Sequence, residues 1–281
     1  MYRSLGPGAI GVEVSSMADG LDFAARHGFA GYHFGIGEVV AMGASAASEL
    51  AESKGVKLSG WGFPLDFRGD QGVYDEGMAE LPALAKAAAE VGVLRTATWI
   101  MPASDERTYQ ENFAFHVERL KPAAAILAEH GILFGLEYVG PKTLWDSKQY
   151  SFAHTMEQMG ELCRAIGDNM GFLLDSWHWY TSHETVADLR TLSADQVVDV
   201  HVNDAPAGVA INEQVDNIRD LPGATGVIDI AAFLGALQEM GYDGPVMVEP
   251  FSQRVRDMEP EDAMAATGKA LAGVWEQAGL S

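Results

Sequence analysis

The sequence predicts an α/β protein folded as one (β/α)8 (TIM) barrel domain over residues 1–281. Three observations carry that expectation. Eight short β-like runs alternate with longer Ala-, Leu- and Glu-rich stretches from one end of the chain to the other. Glycine stands at several helix-to-strand joints, in His27-Gly28-Phe29, Lys54-Gly55-Val56, Val91-Gly92-Val93, His130-Gly131-Ile132 and Met240-Gly241-Tyr242, where a helix C-cap favours a left-handed residue. No linker, low-complexity tract or repeat beyond the βα period divides the chain, and such alternation builds a parallel sheet with both faces covered.

In chain order, strands are expected at Ala9–Val14, Phe29–Phe34, Val56–Gly62, Val93–Trp99, Ile132–Tyr138, Met170–Asp175, Gln196–Val202 and Pro245–Glu249. Helical stretches between them include Met78–Glu90, Tyr109–Glu129, Phe152–Ile166 and Ile230–Met240. Lys121-Pro122 is expected to kink or restart its helix, because proline removes a backbone donor. A doubly wound sheet matches the same alternation, but it would place a glycine-rich phosphate turn after an early strand. Gly35-Ile36-Gly37-Glu38 lacks a third glycine and reads as a loop, so the closed barrel is preferred.

Composition removes whole classes of partner. Eighteen Lys+Arg against 40 Asp+Glu leave a formal charge of −22, with no positive field for nucleic-acid phosphates or an anionic membrane. The 48% hydrophobic content supports a sizeable core. A single cysteine, Cys163, excludes an internal disulfide and fits a buried thiol in a reducing cytoplasm. The N-terminal Gly6-Pro7-Gly8 interrupts any signal-peptide core, and no stretch approaches the ~20 apolar residues of a membrane span.

Chemistry in such a barrel belongs at the C-terminal ends of the strands. Those ends read Glu13, His33, Trp61, Trp99, Glu137, Asp175, His201 and Glu249. The last four are each one βα unit apart or, for the final pair, two. Three carboxylates and one imidazole suit one hard or borderline divalent cation, Mn²⁺ first, with Mg²⁺, Co²⁺ or Zn²⁺ as alternatives. An octahedral ion held by four side chains keeps two positions for the neighbouring oxygens of an α-hydroxyketone. There it polarises the carbonyl and stabilises the enediolate left when the α-proton departs, while Glu137 and Glu249 serve as base and acid.

Each residue also has a plainer reading. Asp175 is placed to N-cap the following helix, and His201 in Val200-His201-Val202 is placed to be a hydrogen-bonded core histidine. Glu137 and Glu249 end apolar runs, where an unpaired carboxylate is costly; the plain alternative is a salt bridge, yet few bases flank them. Together the four favour a metal site.

At these residues the chain resembles a known family. Gly131-Ile-Leu-Phe-Gly-Leu-Glu137-Tyr-Val-Gly-Pro, Gly171-Phe-Leu-Leu-Asp175-Ser-Trp-His178, His201-Val-Asn-Asp204 and Val246-Met-Val-Glu249-Pro resemble the xylose-isomerase-like TIM-barrel superfamily of sugar isomerases and epimerases. Within it they are most similar to inosose isomerases and ketose 3-epimerases. The resemblance implies that Glu137, Asp175, His201 and Glu249 bind the metal and that the two glutamates double as acid–base catalysts. It implies that His178 touches substrate oxygens, and that Arg219, before the Pro222-Gly223 turn, orients a substrate hydroxyl or else is a plain surface arginine. His33 stands where many relatives carry an acid, at the distal end of the substrate. Lys142 either reaches the site or solvates its loop. Trp99, with Trp61, Trp145, Trp177 and Trp179, is expected near the mouth, stacking on sugar C–H faces or packing between loops.

The expected function is a divalent-metal-dependent isomerase or epimerase of a small neutral sugar, keto-sugar or inosose. The alternative is a keto-inositol dehydratase, a lyase using the same site. A DNA-repair endonuclease of this superfamily needs a multi-zinc cluster and a basic groove, which 8 His and a −22 balance do not supply. A sugar-binding barrel without turnover is disfavoured by the complete ligand set. Scattered bases at Arg68, Lys142, Arg219, Arg254 and Arg256 form no phosphate nest. The Phe63-Pro64-Leu65 loop is either a homo-oligomer interface or a lid.

Overall fold

Eight parallel strands close into a barrel in the computed structural model, which describes residues 1–280. They are β1 (Tyr2–Leu5), β2 (Gly31–Phe34), β3 (Lys57–Gly62), β4 (Arg95–Trp99), β5 (Leu133–Glu137), β6 (Met170–Asp175), β7 (Val197–Val202) and β8 (Pro245–Val248). Each pairs in parallel with its sequence neighbours, and β1 closes the ring against β8. Helices cover the outside, and the chain forms the single α/β barrel expected from its alternation. Among the described residues no helix is long and apolar enough to cross a membrane.

The first strand is a correction. It is Tyr2–Leu5, not Ala9–Val14; Pro7–Ile10 forms a 3₁₀ turn that ends at Gly11, φ 77°. Arg3 and Ser4 hid the strand in a polar stretch, but its backbone pairs on both sides and Ser4 is buried against Ser59, with their hydroxyls 2.6 Å apart. Glu13 is therefore an exposed loop residue and not a strand end.

The glycine joints behave as their position requires: Gly28, Gly55, Gly92, Gly131 and Gly241 all have φ between 65° and 84°. Helix Tyr109–Glu129 is capped by a Thr108–Glu111 box and runs on through Pro122 without restarting. Its buried face of Leu120, Ala123, Ala124 and Leu127 outweighs one missing hydrogen bond. Ile36–Met42, expected as loop, is a helix, and the Glu38 carboxylate accepts the Met17 N–H at 2.6 Å. Phe152–Ile166 begins its helix at Met156, after Thr155 as N-cap. Between β7 and β8 there is one βα unit, not two: a long excursion from Asn203 to Asp229 precedes helix Ile230–Met240.

Two register shifts shape the barrel interior. One falls between Tyr32 and His33 on β2, the other between Phe172 and Leu173 against β7, where Val198 is passed over. Arg95 crosses from β4 and donates to the carbonyls of Val197 and Val198 at 3.0 and 3.2 Å, and it pairs with Asp243 at 2.6 Å. This satisfies the bulged backbone and plugs the barrel at its N-terminal end.

Candidate metal centre

Four neighbouring strands, β5 to β8, bring their C-terminal ends to one point. One donor atom from each of Glu137, Asp175, His201 and Glu249 lies within 4.8 Å of the others. Glu137 Oε1 and His201 Nδ1 are buried and have no hydrogen-bond partner. Nδ1 faces Glu249 Oε2 at 3.4 Å and Glu137 Oε1 at 3.9 Å, within ion-pair range. Buried donors and acceptors are almost always satisfied, and these two atoms meet each other and Glu249 only beyond ordinary hydrogen-bond geometry. The orphaned atoms and the oxygen-rich donor set fit a divalent cation. Asp175 does N-cap helix Ser176–Thr181: Oδ1 accepts the Trp177 N–H at 2.7 Å while the carboxylate stays in the cluster.

The electrostatics separate the two glutamates. Burial and the nearby Glu249 carboxylate push the Glu137 pKa well above the usual carboxylate range. Burial acts in the same direction on Glu249, but His201 and Arg219 outweigh it and hold that carboxyl below its ordinary value. Burial disfavours a charged His201, yet Glu249 and Glu137 raise it to about 10.

Buried side chains orient the donors. Asn203 Nδ2 donates to Asp175 Oδ1 at 2.9 Å and to the Glu249 carbonyl at 3.1 Å. Gly140 N–H donates to His178 Nδ1 at 3.2 Å, and on the other side of the ring Arg219 Nη2 lies 3.3 Å and Glu137 Oε1 3.7 Å from His178 Nε2. Burial, then the Arg219 charge, lowers the His178 pKa to about 3. A Cβ at Gly140 would come 2.6 Å from the His178 carbonyl, so only glycine allows this approach.

Arg219 sits behind the cluster with its side chain 1% exposed, so it is not a surface arginine. Nη1 donates to Asp175 Oδ2 at 2.8 Å, Nη2 to Asp216 Oδ1 at 2.9 Å and Nε to the Asp216 carbonyl at 2.9 Å. It arrives on the long excursion after β7, tied down by Asp204. The Asp204 carboxylate accepts the N–H groups of Thr225, Gly226 and Ile228, and its backbone pairs with Asp220.

A cavity of about 490 Å³ opens over the cluster, lined on one side by Glu137, His201 and Glu249. Its floor holds His33 and Asp199, and its walls include Phe63, Trp99 and Phe251. Among the described residues no lysine or arginine lines it. Trp99 is 44% exposed at the mouth, whereas Trp61 and Trp177 are fully buried packing residues. Trp145 stacks on His154, and the Lys142 ammonium lies 5.7 Å from the Trp145 ring, outside the cavity lining. Leu65 is buried, so only Phe63 of the Phe63-Pro64-Leu65 loop faces the cavity.

Sequence reasoning passed over Asp199, Asn203, Asp216 and Gly140. Asp199 had a readable signal, a lone acid in an apolar strand two residues before His201 and therefore on its face.

The model of a family described as "Xylose isomerase-like TIM barrel" matches residues 21–272. An inosose isomerase of Bacillus subtilis is 28% identical over 162 residues, 56% of this chain and 54% of that protein, so the chain spans about half of that relative's length. A 3-dehydroshikimate dehydratase of Pseudomonas aeruginosa is 31% identical over 144 residues, 50% of this chain and 22% of that one. Among solved structures, a xylose isomerase domain protein from Alicyclobacillus acidocaldarius superposes with a TM-score of 0.88 at 29% identity, covering 99% of both chains. The IOLI protein, solved with a bound zinc atom, shares the fold with a TM-score of 0.79 at 21% identity, covering 98% of both.

Proposed function

Since the chain belongs to the xylose isomerase-like TIM barrel family, we propose that it is a divalent-metal-dependent isomerase or epimerase of a small neutral keto-sugar or inosose. The observation that carries this reading is the four-residue donor cluster with two unpartnered buried atoms, set under a cavity without a cationic wall. Glu137, Asp175, His201 and Glu249 are the proposed ligands, with Mn²⁺ as the preferred ion and Zn²⁺, the ion of the IOLI structure, as the alternative.

A cation bound there supplies Lewis-acid polarisation of a substrate carbonyl. The chain's own residues do the rest. Glu137 and Glu249 approach the cavity from different strands and move a proton off and onto the carbon beside that carbonyl. His178, fixed between the Gly140 N–H and the Arg219 guanidinium beside Glu137, is the proposed contact to a substrate oxygen. Trp99 and Phe63 offer apolar faces to ring C–H groups and narrow the access of water.

The similarity to a dehydratase supports a second reading, in which the same proton abstraction expels a β-hydroxyl. The acid-lined cavity favours a neutral substrate over a carboxylate-bearing one in either case. The single cysteine, buried with its thiol pushed by burial to about 12, supports a reducing, cytoplasmic setting.

The test is incubation of the Mn²⁺-loaded protein in D₂O with neutral keto-sugars and inososes, followed by mass spectrometry. Deuterium beside the carbonyl together with an isomer is expected, and loss of water identifies the lyase. Glu137→Gln and Glu249→Gln should abolish exchange while keeping the fold. Full activity in either variant overturns the assignment.

A further inference from the structure

Below the donor cluster the barrel interior holds a second polar pair that the proposed chemistry does not use. Asp199 precedes His201 by two residues on β7, faces the same interior one layer deeper, and is 4% exposed. His33 reaches toward it from β2, and His33 Nε2 lies 3.9 Å from Asp199 Oδ2. Asp199 Oδ1 accepts the Val200 N–H at 2.8 Å. Among the described residues no hydrogen bond reaches Asp199 Oδ2 or the His33 ring, and both residues line the cavity.

Three features keep this gap open. Both register shifts of the barrel fall at the pair: His33 follows one on β2, and Asp199 follows the residue passed over on β7. Bulges of this kind re-aim side chains beside functional sites. The register partner of His33 is Gly60, where a Cβ would stand 2.9 Å from His33 Cδ2 and 3.5 Å from Asp199 Oδ2, filling the space. The floor around the pair is apolar or small, formed by Ala97, Leu173 and Met247. A separation of 3.9 Å is too long for a direct hydrogen bond. It admits one hydroxyl oxygen at about 2.8 Å from both atoms, donating to the carboxylate and accepting from the ring N–H.

We propose that His33 and Asp199 form a subsite that reads one substrate hydroxyl remote from the reacting carbons, and that the protein thereby selects polyhydroxylated rings over their deoxy analogues. This rests on the isomerase reading for the identity of the reaction, but not for the binding itself. The Asp199 carboxylate also sets the subsite against phosphate or carboxylate groups. Sites built to bond a hydroxyl discriminate strongly against its absence, because the buried polar groups are then left unpaired.

The probe is myo-inositol, a neutral ring polyol with no carbonyl to react, compared by calorimetry with a set of mono-deoxy inositols on the metal-loaded protein. Wild type should bind myo-inositol at least tenfold more tightly than one member of the set. His33→Ala and Gly60→Ala should erase that difference, Gly60→Ala by filling the gap while both polar groups remain. His33→Gln, which keeps a donor, should restore part of it. Equal binding of every analogue to wild type, or unchanged discrimination in both alanine variants, overturns the proposal. Deuterium exchange, run in parallel, separates the two ideas: discrimination without exchange in any keto-polyol sinks the isomerase reading alone, and exchange without discrimination sinks the subsite alone.

Discussion

Arg219 Nη1 lies 2.8 Å from Asp175 Oδ2, with the two side chains 1% and 0% exposed. The same nitrogen is 3.4 Å from Glu249 Oε2. Burial opposes a charged guanidinium, but Asp175 and Asp216 more than compensate and raise its pKa. A fixed positive charge therefore already sits against two of the four proposed ligands, while Asp175 keeps its orientation through Trp177 N–H and Asn203.

Arg219→Met should accordingly destabilise the metal-free protein and strengthen metal binding. Removing one partner of a buried ion pair costs about 3–5 kcal/mol, or a fall of roughly 5–9 °C in the unfolding midpoint for a chain of this size. Mn²⁺ affinity, measured by calorimetry, should rise about tenfold as the competing charge is lost. Weaker binding would instead make Arg219 an organiser of the carboxylates.

Metal removal gives the converse. EDTA treatment should lower the midpoint, and Mn²⁺ or Zn²⁺ at about 100 times its dissociation constant should restore about 2.7 kcal/mol. Asp175→Asn should shrink that shift. An unfolding midpoint indifferent to EDTA and to added ions would remove the proposed centre.

Glu184 makes stability depend on pH. It accepts the Tyr138 hydroxyl and, at 2.7 Å, the Met156 N–H, yet burial raises its pKa from 4.5 to about 7. The folded chain holds this proton where the unfolded chain has lost it. Its contribution is complete below pH 4.5 and is lost as pH rises through 7. Glu184→Gln should flatten that decline and exceed wild type at pH 8 by about 2 kcal/mol, read from denaturation curves at pH 5 and 8.

Gly140→Ala places a Cβ 2.5 Å from Ser182 Oγ and 2.6 Å from the His178 carbonyl. Because backbone cannot yield as a side-chain tip does, the expected loss is about 2–3 kcal/mol, accompanied by displaced His178 and slower deuterium exchange. Exchange at the wild-type rate would detach His178 from the reaction.

Strands β2 to β8 were readable to within two residues because apolar runs, helical stretches and glycine caps agree with one another at each joint. β1 was not, since a four-residue strand carrying Arg3 and Ser4 has too little pattern, and its pairing partners lie far away in sequence. Glu137, Asp175, His201 and Glu249 announce themselves as polar residues ending apolar strands, and the structure brings them together. The burial of Arg219 and the place of Asp216 were illegible because both ride a long irregular excursion whose path is set by Asp204, through tertiary hydrogen bonds and not local propensity.

Arg95, spanning the barrel's far end between the Val197 and Val198 carbonyls and Asp243, fills the end of the barrel opposite the cavity mouth at Trp99. For the proposed reaction, substrate and product would then share the doorway beside Trp99. Arrival and departure would be competing events at that rim, and accumulated product is expected to slow turnover, which progress curves with added product check.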